Sequence, residues 1–204
     1  MAAVAAYFDE AFAGRPVMAI LRGFPVARTV ELAQRAWDNG ITAVEVPIQT
    51  PEAVDALAAA VTAGAERGFG VGAGTVTTVE QVRQAAGAGA VFTVAPGLDE
   101  RVAAASAHAG LAHLPGVATA SDVQRAVGLG LHWVKAFPAA VLGAGWFTAM
   151  RGPFPQVRFV ATGGMGAGNA AEFLAAGASV VAVGSALEDP EQLDRLAAVV
   201  TRGQ

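Results

Sequence analysis

The chain has 204 residues, a formal net charge of −4 and no cysteine; it is 54% hydrophobic but only 15% charged. With no basic run it cannot track a nucleic-acid backbone, and without cysteine it has no disulfides, thiolate catalysis or sulfur-ligated zinc. Charged residues fall well below the usual quarter, so more apolar surface must be hidden than one monomer normally hides, and self-association is expected.

The first ten residues are apolar but carry Asp9 and Glu10 and lack a positive segment, which reads as a short N-terminal helix and not a signal peptide. The uncharged stretches further on are broken by Gly and Pro, so no membrane span is expected and the protein should be cytoplasmic. Short β-branched or apolar runs then recur at 17–21, 42–46, 70–73, 91–94, 112–114, 133–137, 158–161 and 180–183. Helical patterns follow them at 26–38, 51–66, 78–87, 99–109, 121–128, 145–150, 167–176 and 191–200. Boundary chemistry supports the division. Thr50 precedes an N1 proline, Thr77 and Thr78 precede Glu80, and Gly40, Gly110, Gly130 and Gly177 stand just past helix ends.

No Pro/Ser-rich linker or charge block divides the chain, so a single domain over 1–204 is expected. Strand and helix alternating throughout demand parallel pairing with right-handed crossovers, and eight such units close into a compact (β/α)8 TIM barrel. An open doubly wound sheet would want a glycine-rich dinucleotide turn after the first strand, and Leu-Arg-Gly-Phe-Pro-Val is not one.

Barrels of this kind place their reacting groups at the C-terminal ends of strands. Lys135 ends the sixth. It is the only lysine against twelve arginines, and its segment, His-Trp-Val-Lys-Ala-Phe-Pro, is apolar. An ammonium among apolar neighbours is costly to keep charged, and the neutral amine is the nucleophile that forms Schiff bases with ketones; a lysine with its head in water is the bland alternative. Glu45 interrupts the second strand, and strands two and six lie opposite in an eight-membered ring, so Glu45 and Lys135 should face each other across the mouth. Such a carboxylate can move protons for imine chemistry, or it can be a structural ion pair. Gly163-Gly164 and Gly184-Ser185 end the seventh and eighth strands, where backbone N–H groups commonly hold phosphate. Arg22 ends the first strand and can fork onto a carboxylate. Gln49, Thr75 and Pro96 fall beyond the second, third and fourth. His108 falls in a helix, His132 has parity opposite to Lys135, and His113 is ambiguous; none pairs with a carboxylate at metal-ligand spacing, so no metal is expected.

Nine words in register carry a resemblance. They are Ala-Ile-Leu-Arg-Gly at 19–23, Val-Glu-Val-Pro at 44–47, Gly-Ala-Gly-Thr-Val at 72–76, Ala-Pro-Gly-Leu at 95–98 and Leu-Pro-Gly-Val-Ala-Thr at 114–119. Val-Lys-Ala-Phe-Pro-Ala at 134–139, Gly-Pro-Phe-Pro-Gln-Val-Arg-Phe at 152–159, Thr-Gly-Gly-Met at 162–165 and Val-Gly-Ser-Ala-Leu at 183–187 complete them. In this the chain resembles the 2-keto-3-deoxy-6-phosphogluconate aldolases that also act on 4-hydroxy-2-oxoglutarate. The resemblance implies a class I aldolase on a small barrel, a homotrimer without metal or cofactor, acting on a small 2-keto-3-deoxy phosphosugar acid and yielding pyruvate. It further implies that Lys135 forms the imine and Glu45 is the general acid/base. Arg22 and Thr75 would hold the pyruvyl carboxylate end, Pro96 and Phe137 would wall the pocket, and Gly163, Gly164 and Ser185 would take the phosphate. Gln49 stands where many relatives carry an arginine, and related 2-keto-3-deoxy-6-phosphogalactonate aldolases also place an amide there, so both C4 epimers stay open. Two further readings compete: a phosphate-binding synthase or isomerase on the same barrel, and a non-catalytic module that binds a phosphorylated acid.

Overall fold

The computed structural model of the chain describes residues 2–202. Helix α1 (Ala2–Ala11) precedes strand β1 (Val17–Ile20); α2 (Val26–Asp38), β2 (Ala43–Pro47), α3 (Pro51–Glu66) and β3 (Val71–Gly74) follow, then α4 (Val79–Gly87), β4 (Phe92–Val94) and α5 (Glu100–His108). The second half runs through β5 (Ala112–Leu114), β6 (Gly116–Val117), α6 (Ala120–Gly128), β7 (Trp133–Ala136), α7 (Ala139–Leu142) and α8 (Ala144–Arg151). It ends with β8 (Arg158–Thr162), α9 (Ala170–Ala175), β9 (Val180–Val183), a 3-10 turn (Ser185–Glu188) and α10 (Pro190–Arg202).

All strands are parallel, in the order β5-β4-β3-β2-β1-β9-β8-β7-β6. The expected TIM barrel is therefore present, and eight staves account for nine strands because the fifth is cut at Pro115. Leu114 pairs with Val94 on one side of the cut, while Gly116 pairs with Lys135 on the other. Proline has no N–H for a ladder, so the stave divides there. The Pro115 carbonyl still accepts from the Lys135 N–H at 2.8 Å, which keeps the wall continuous at the upper end.

Period-two alternation sorts the core into two shells. Odd-numbered Val17, Ala19, Val71, Phe159, Val181 and Val183 face the helices, with even-numbered Val44, Val46, Val134 and Ala136 beside them. Met18, Ile20, Phe92, Leu114, Val160 and Ala182 fill the barrel. Helix α1 closes the bottom: Phe8 and Phe12 are buried against Phe92 and Trp133, with ring centroids 5.0–6.4 Å apart. Trp133 Nε1–H donates to Asp9 at 3.0 Å, which ties this plug to β7.

Start and stop signals behave as the residues require. Thr50 caps α3 by accepting from the Ala53 N–H, with Pro51 at N1. At α4 the reciprocal box pairs Thr78 with Gln81, while Glu80 instead meets Arg83 at 2.8 Å. Gly40, Gly110, Gly130 and Gly177 all take positive φ, as helix-terminating residues must. Two helices differ from expectation. The helix expected at 145–150 is α8, but a further short helix, α7, precedes it across Gly143, and the helix expected from 167 starts at Ala170, because Gly166 and Gly168 delay it.

Candidate active site

Lys135 sits on β7 with the inward parity of Trp133 and is only 2% exposed. Its Nζ lies 5.3 Å from the Phe137 ring centroid, so the aromatic face borders the amine. A cavity of about 780 Å³ opens above it, at the C-terminal ends of the strands. Arg22, Phe137, Gly163, Gly164 and Gly184 line this cavity together with Lys135. The sequence-selected residues from the first, sixth, seventh and eighth staves are thus gathered around one space.

Glu45 is fully buried on β2, and neither carboxylate oxygen has a hydrogen-bond partner among the described residues. It fits because β3 is bare beside it. A Cβ on Gly74 would stand 2.9 Å from Glu45 Oε1, and one on Gly72 would strike the Phe92 ring that fills the barrel below. Burial pushes the Glu45 carboxyl above its ordinary range; the charges of Lys135 and Arg22 oppose that rise without cancelling it. The group is therefore biased toward its protonated form while lying within the field of the amine, which suits a proton shuttle.

Glu45 itself is not among the residues that line the cavity, and several other expected residues also lie off it. Gln49 is outside the cavity lining but accepts a hydrogen bond from Arg22 Nη1, so an amide at this position orients the cation. Thr75 is half-buried, off the lining, and holds φ of +56°, a backbone state that a threonine rarely adopts. Pro96 is also off the lining; its carbonyl lies against Gly116, where a Cβ would come within 2.1 Å. Ser185 opens the 3-10 turn after Gly184, but its side chain lies outside the described residues. Of the histidines, His108 and His132 are exposed, whereas His113 points from β5 into the helical layer and is buried.

The structure adds residues to which the sequence assigned no role. Thr162 lines the cavity with a buried hydroxyl that has no partner among the described residues. Its even parity with Val160 on β8 was the available signal. Asn169 braces the glycine turn: its Nδ2 donates to the Gly164 carbonyl at 2.9 Å, and its Oδ1 accepts from the Gly166 N–H at 3.0 Å. That turn needs glycine, since Gly163 has φ of +95° and a Cβ there would press on the Phe137 ring at 3.1 Å. Glu188 and Gln192 close the outer wall. Among the described residues no three His, Cys, Asp or Glu side chains are grouped to hold a metal ion, and no helix is long and apolar enough to cross a membrane.

Residues 8–200 match the family model described as KDPG and KHG aldolase. The chain is 41% identical over 161 residues to the 2-dehydro-3-deoxy-phosphogluconate aldolase of Treponema pallidum, covering 78% of this chain and 74% of that one. It is 34% identical over 177 residues to the probable 2-dehydro-3-deoxy-6-phosphogalactonate aldolase of Rhizobium meliloti, covering 86% and 83%. Among solved structures it superposes with a TM-score of 0.81 on KDPG aldolase from Legionella pneumophila, captured at low pH with pyruvate as a covalent carbinolamine. That pair is 29% identical, covering 95% of this chain and 96% of the other.

Proposed function

The chain belongs to the KDPG and KHG aldolase family, and from that premise we propose that it cleaves a 2-keto-3-deoxy-6-phospho sugar acid to pyruvate and glyceraldehyde 3-phosphate through an imine on Lys135. As a member it is an aldolase, hence a carbon–carbon lyase. The observation that carries the residue assignment is a solitary buried lysine inside the barrel mouth, within the field of a buried, unpaired glutamate.

Lys135 Nζ adds to the C2 carbonyl to give a carbinolamine. Protonated Glu45 donates to its hydroxyl, water leaves, and the iminium forms as an electron sink. Transfer of the C4 hydroxyl proton to Glu45 then lets the C3–C4 pair flow into the iminium, releasing the aldehyde and leaving an enamine. Protonation at C3 and addition of water return pyruvate and the free amine. Arg22, held by Gln49, faces the pyruvyl carboxylate. Gly163, Gly164 and Gly184 present backbone N–H groups to the phosphate, so binding energy far from the scissile bond positions it. The reading extends to the gluconate epimer as principal substrate, with 4-hydroxy-2-oxoglutarate a second substrate, and to a cytoplasmic homotrimer.

Borohydride reduction in the presence of pyruvate tests the imine. The expected result is a stable adduct mapped by mass spectrometry to Lys135 and absent from Lys135→Ala; a native protein that stays unmodified overturns the mechanism. Comparing kcat/KM for the gluconate epimer, the galactonate epimer and the dicarboxylate decides the substrate. The galactonate aldolase reading gains support from Gln49 and from the relative in Rhizobium meliloti, and a galactonate preference in that comparison would establish it.

A further inference from the structure

The charges around the Lys135 cavity are unevenly placed. Arg22 and Lys135, at the ends of the first and sixth staves, are the only arginine or lysine among the described lining residues. On the outer wall the chain instead supplies Glu188, the last residue of the 3-10 turn, and Gln192, in the first turn of α10.

Glu188 is the informative one. Its carboxylate is exposed and forms no ion pair among the described residues. The neighbouring anion, Asp189, is spent on capping α10: Oδ1 accepts from the Glu191 N–H at 3.0 Å, and Oδ2 accepts from Gln192 Nε2 at 3.4 Å. Gln192 is thereby tied through its nitrogen, and Asn169 is tied to the glycine turn through Gly164 and Gly166. The side-chain oxygens left free on this wall are the Glu188 carboxylate and the Gln192 carbonyl, both acceptors. A phosphate ester carries nearly two negative charges at pH 7 and acceptor oxygens. It can use the backbone N–H groups of the glycine turn, but it meets like charge at Glu188. A terminal hydroxyl suits both partners, since it accepts from those N–H groups and donates its own proton to the carboxylate.

We propose that the site also cleaves the 2-keto-3-deoxy sugar acid that lacks the phosphate, its terminal hydroxyl donating to Glu188, which makes Glu188 a specificity-determining residue between the two forms. This second substrate class rests on the aldolase reading above. The bond chemistry is the same: the C4 hydroxyl loses its proton, C3–C4 breaks, and pyruvate leaves with glyceraldehyde in place of its phosphate.

The test is pyruvate release from the phosphorylated and unphosphorylated acids, in the C4 epimer that the native protein cleaves faster. Native protein, Glu188→Gln and Glu191→Gln are compared; Glu191 is exposed on α10 and lies off the cavity lining. Native protein should cleave both acids. Glu188→Gln keeps an acceptor but loses the charge, so kcat/KM should fall for the unphosphorylated acid and rise for the phosphorylated one, moving their ratio by roughly tenfold toward phosphate. Glu191→Gln should leave the ratio unchanged. Native protein that cleaves only the phosphorylated acid overturns the proposal and leaves the aldolase reading intact. So does an unmoved ratio in Glu188→Gln, or an equal shift in Glu191→Gln, which would reduce the effect to net surface charge. Native protein that cleaves neither acid overturns both readings, and the borohydride adduct with pyruvate then shows whether the imine survives.

Discussion

Glu45 concentrates the site's chemistry because two opposing effects meet on one side chain. Burial favours its neutral form, and the nearby cations favour its charged form; burial prevails, so the folded carboxyl titrates above its reference value of 4.5. The consequence for stability has a definite sign. The folded state holds this proton more tightly than the unfolded chain, so its contribution is fully present below pH 4.5 and is lost as pH rises through the folded pKa. Glu45→Gln should therefore melt at a higher temperature than the native protein at pH 7, with the advantage shrinking toward pH 4 in thermal scans. The same substitution should slow turnover by about 100-fold, the usual size of a general acid/base contribution. Near-native kcat would reassign the proton transfers. Glu188, an exposed carboxylate on the outer cavity wall, faces the end assigned to phosphate. Glu188→Gln should raise kcat/KM for the phosphorylated substrate by roughly twofold to fivefold, in line with a screened surface pair, and a drop would place the phosphate elsewhere.

At the scale of elements, the site depends on what neighbouring strands leave out. β3 gives no side chain at Gly72 and Gly74, and the freed space is taken by Phe92 in the barrel and by Glu45 at its mouth. Motif words mark those glycines without revealing whose room they make. Helix α1 acts from below. Phe8 is 3% exposed and touches Tyr7, Phe12, Phe92 and Trp133, at centroid distances of 5.3–6.4 Å. Phe8→Ala should cost about 3 kcal/mol by leaving a cavity in the plug, which lowers Tm by roughly 10 °C in a chain of this size. Because the plug lies at the end of the barrel away from Lys135, the variant should keep its kcat at temperatures where it is folded. A loss of kcat without loss of stability would mean that α1 reaches the site.

For the whole molecule, the low charge content pointed to surface that one copy cannot hide, and Val141 shows where some of it lies. This residue is 82% exposed on α7, immediately after the Lys135 strand and Phe137. If the proposed homotrimer covers this face, Val141→Arg should reduce the sedimentation coefficient toward that of a monomer; an unchanged coefficient would move the interface to another face. The sequence by itself determined the strand and helix alternation, hence the barrel, and the inward parity of Glu45 and Lys135, because side-chain period and crossover handedness are local properties of the chain. It also placed the glycine turns at adjacent strand ends. Only the tertiary structure decided that Gln49 holds Arg22 rather than facing the cavity, and that Thr162 and Asn169 join the site. Each of these depends on contacts between segments distant in sequence, where hydrogen-bond partners and empty space are fixed by packing and leave no periodic trace in the residues themselves.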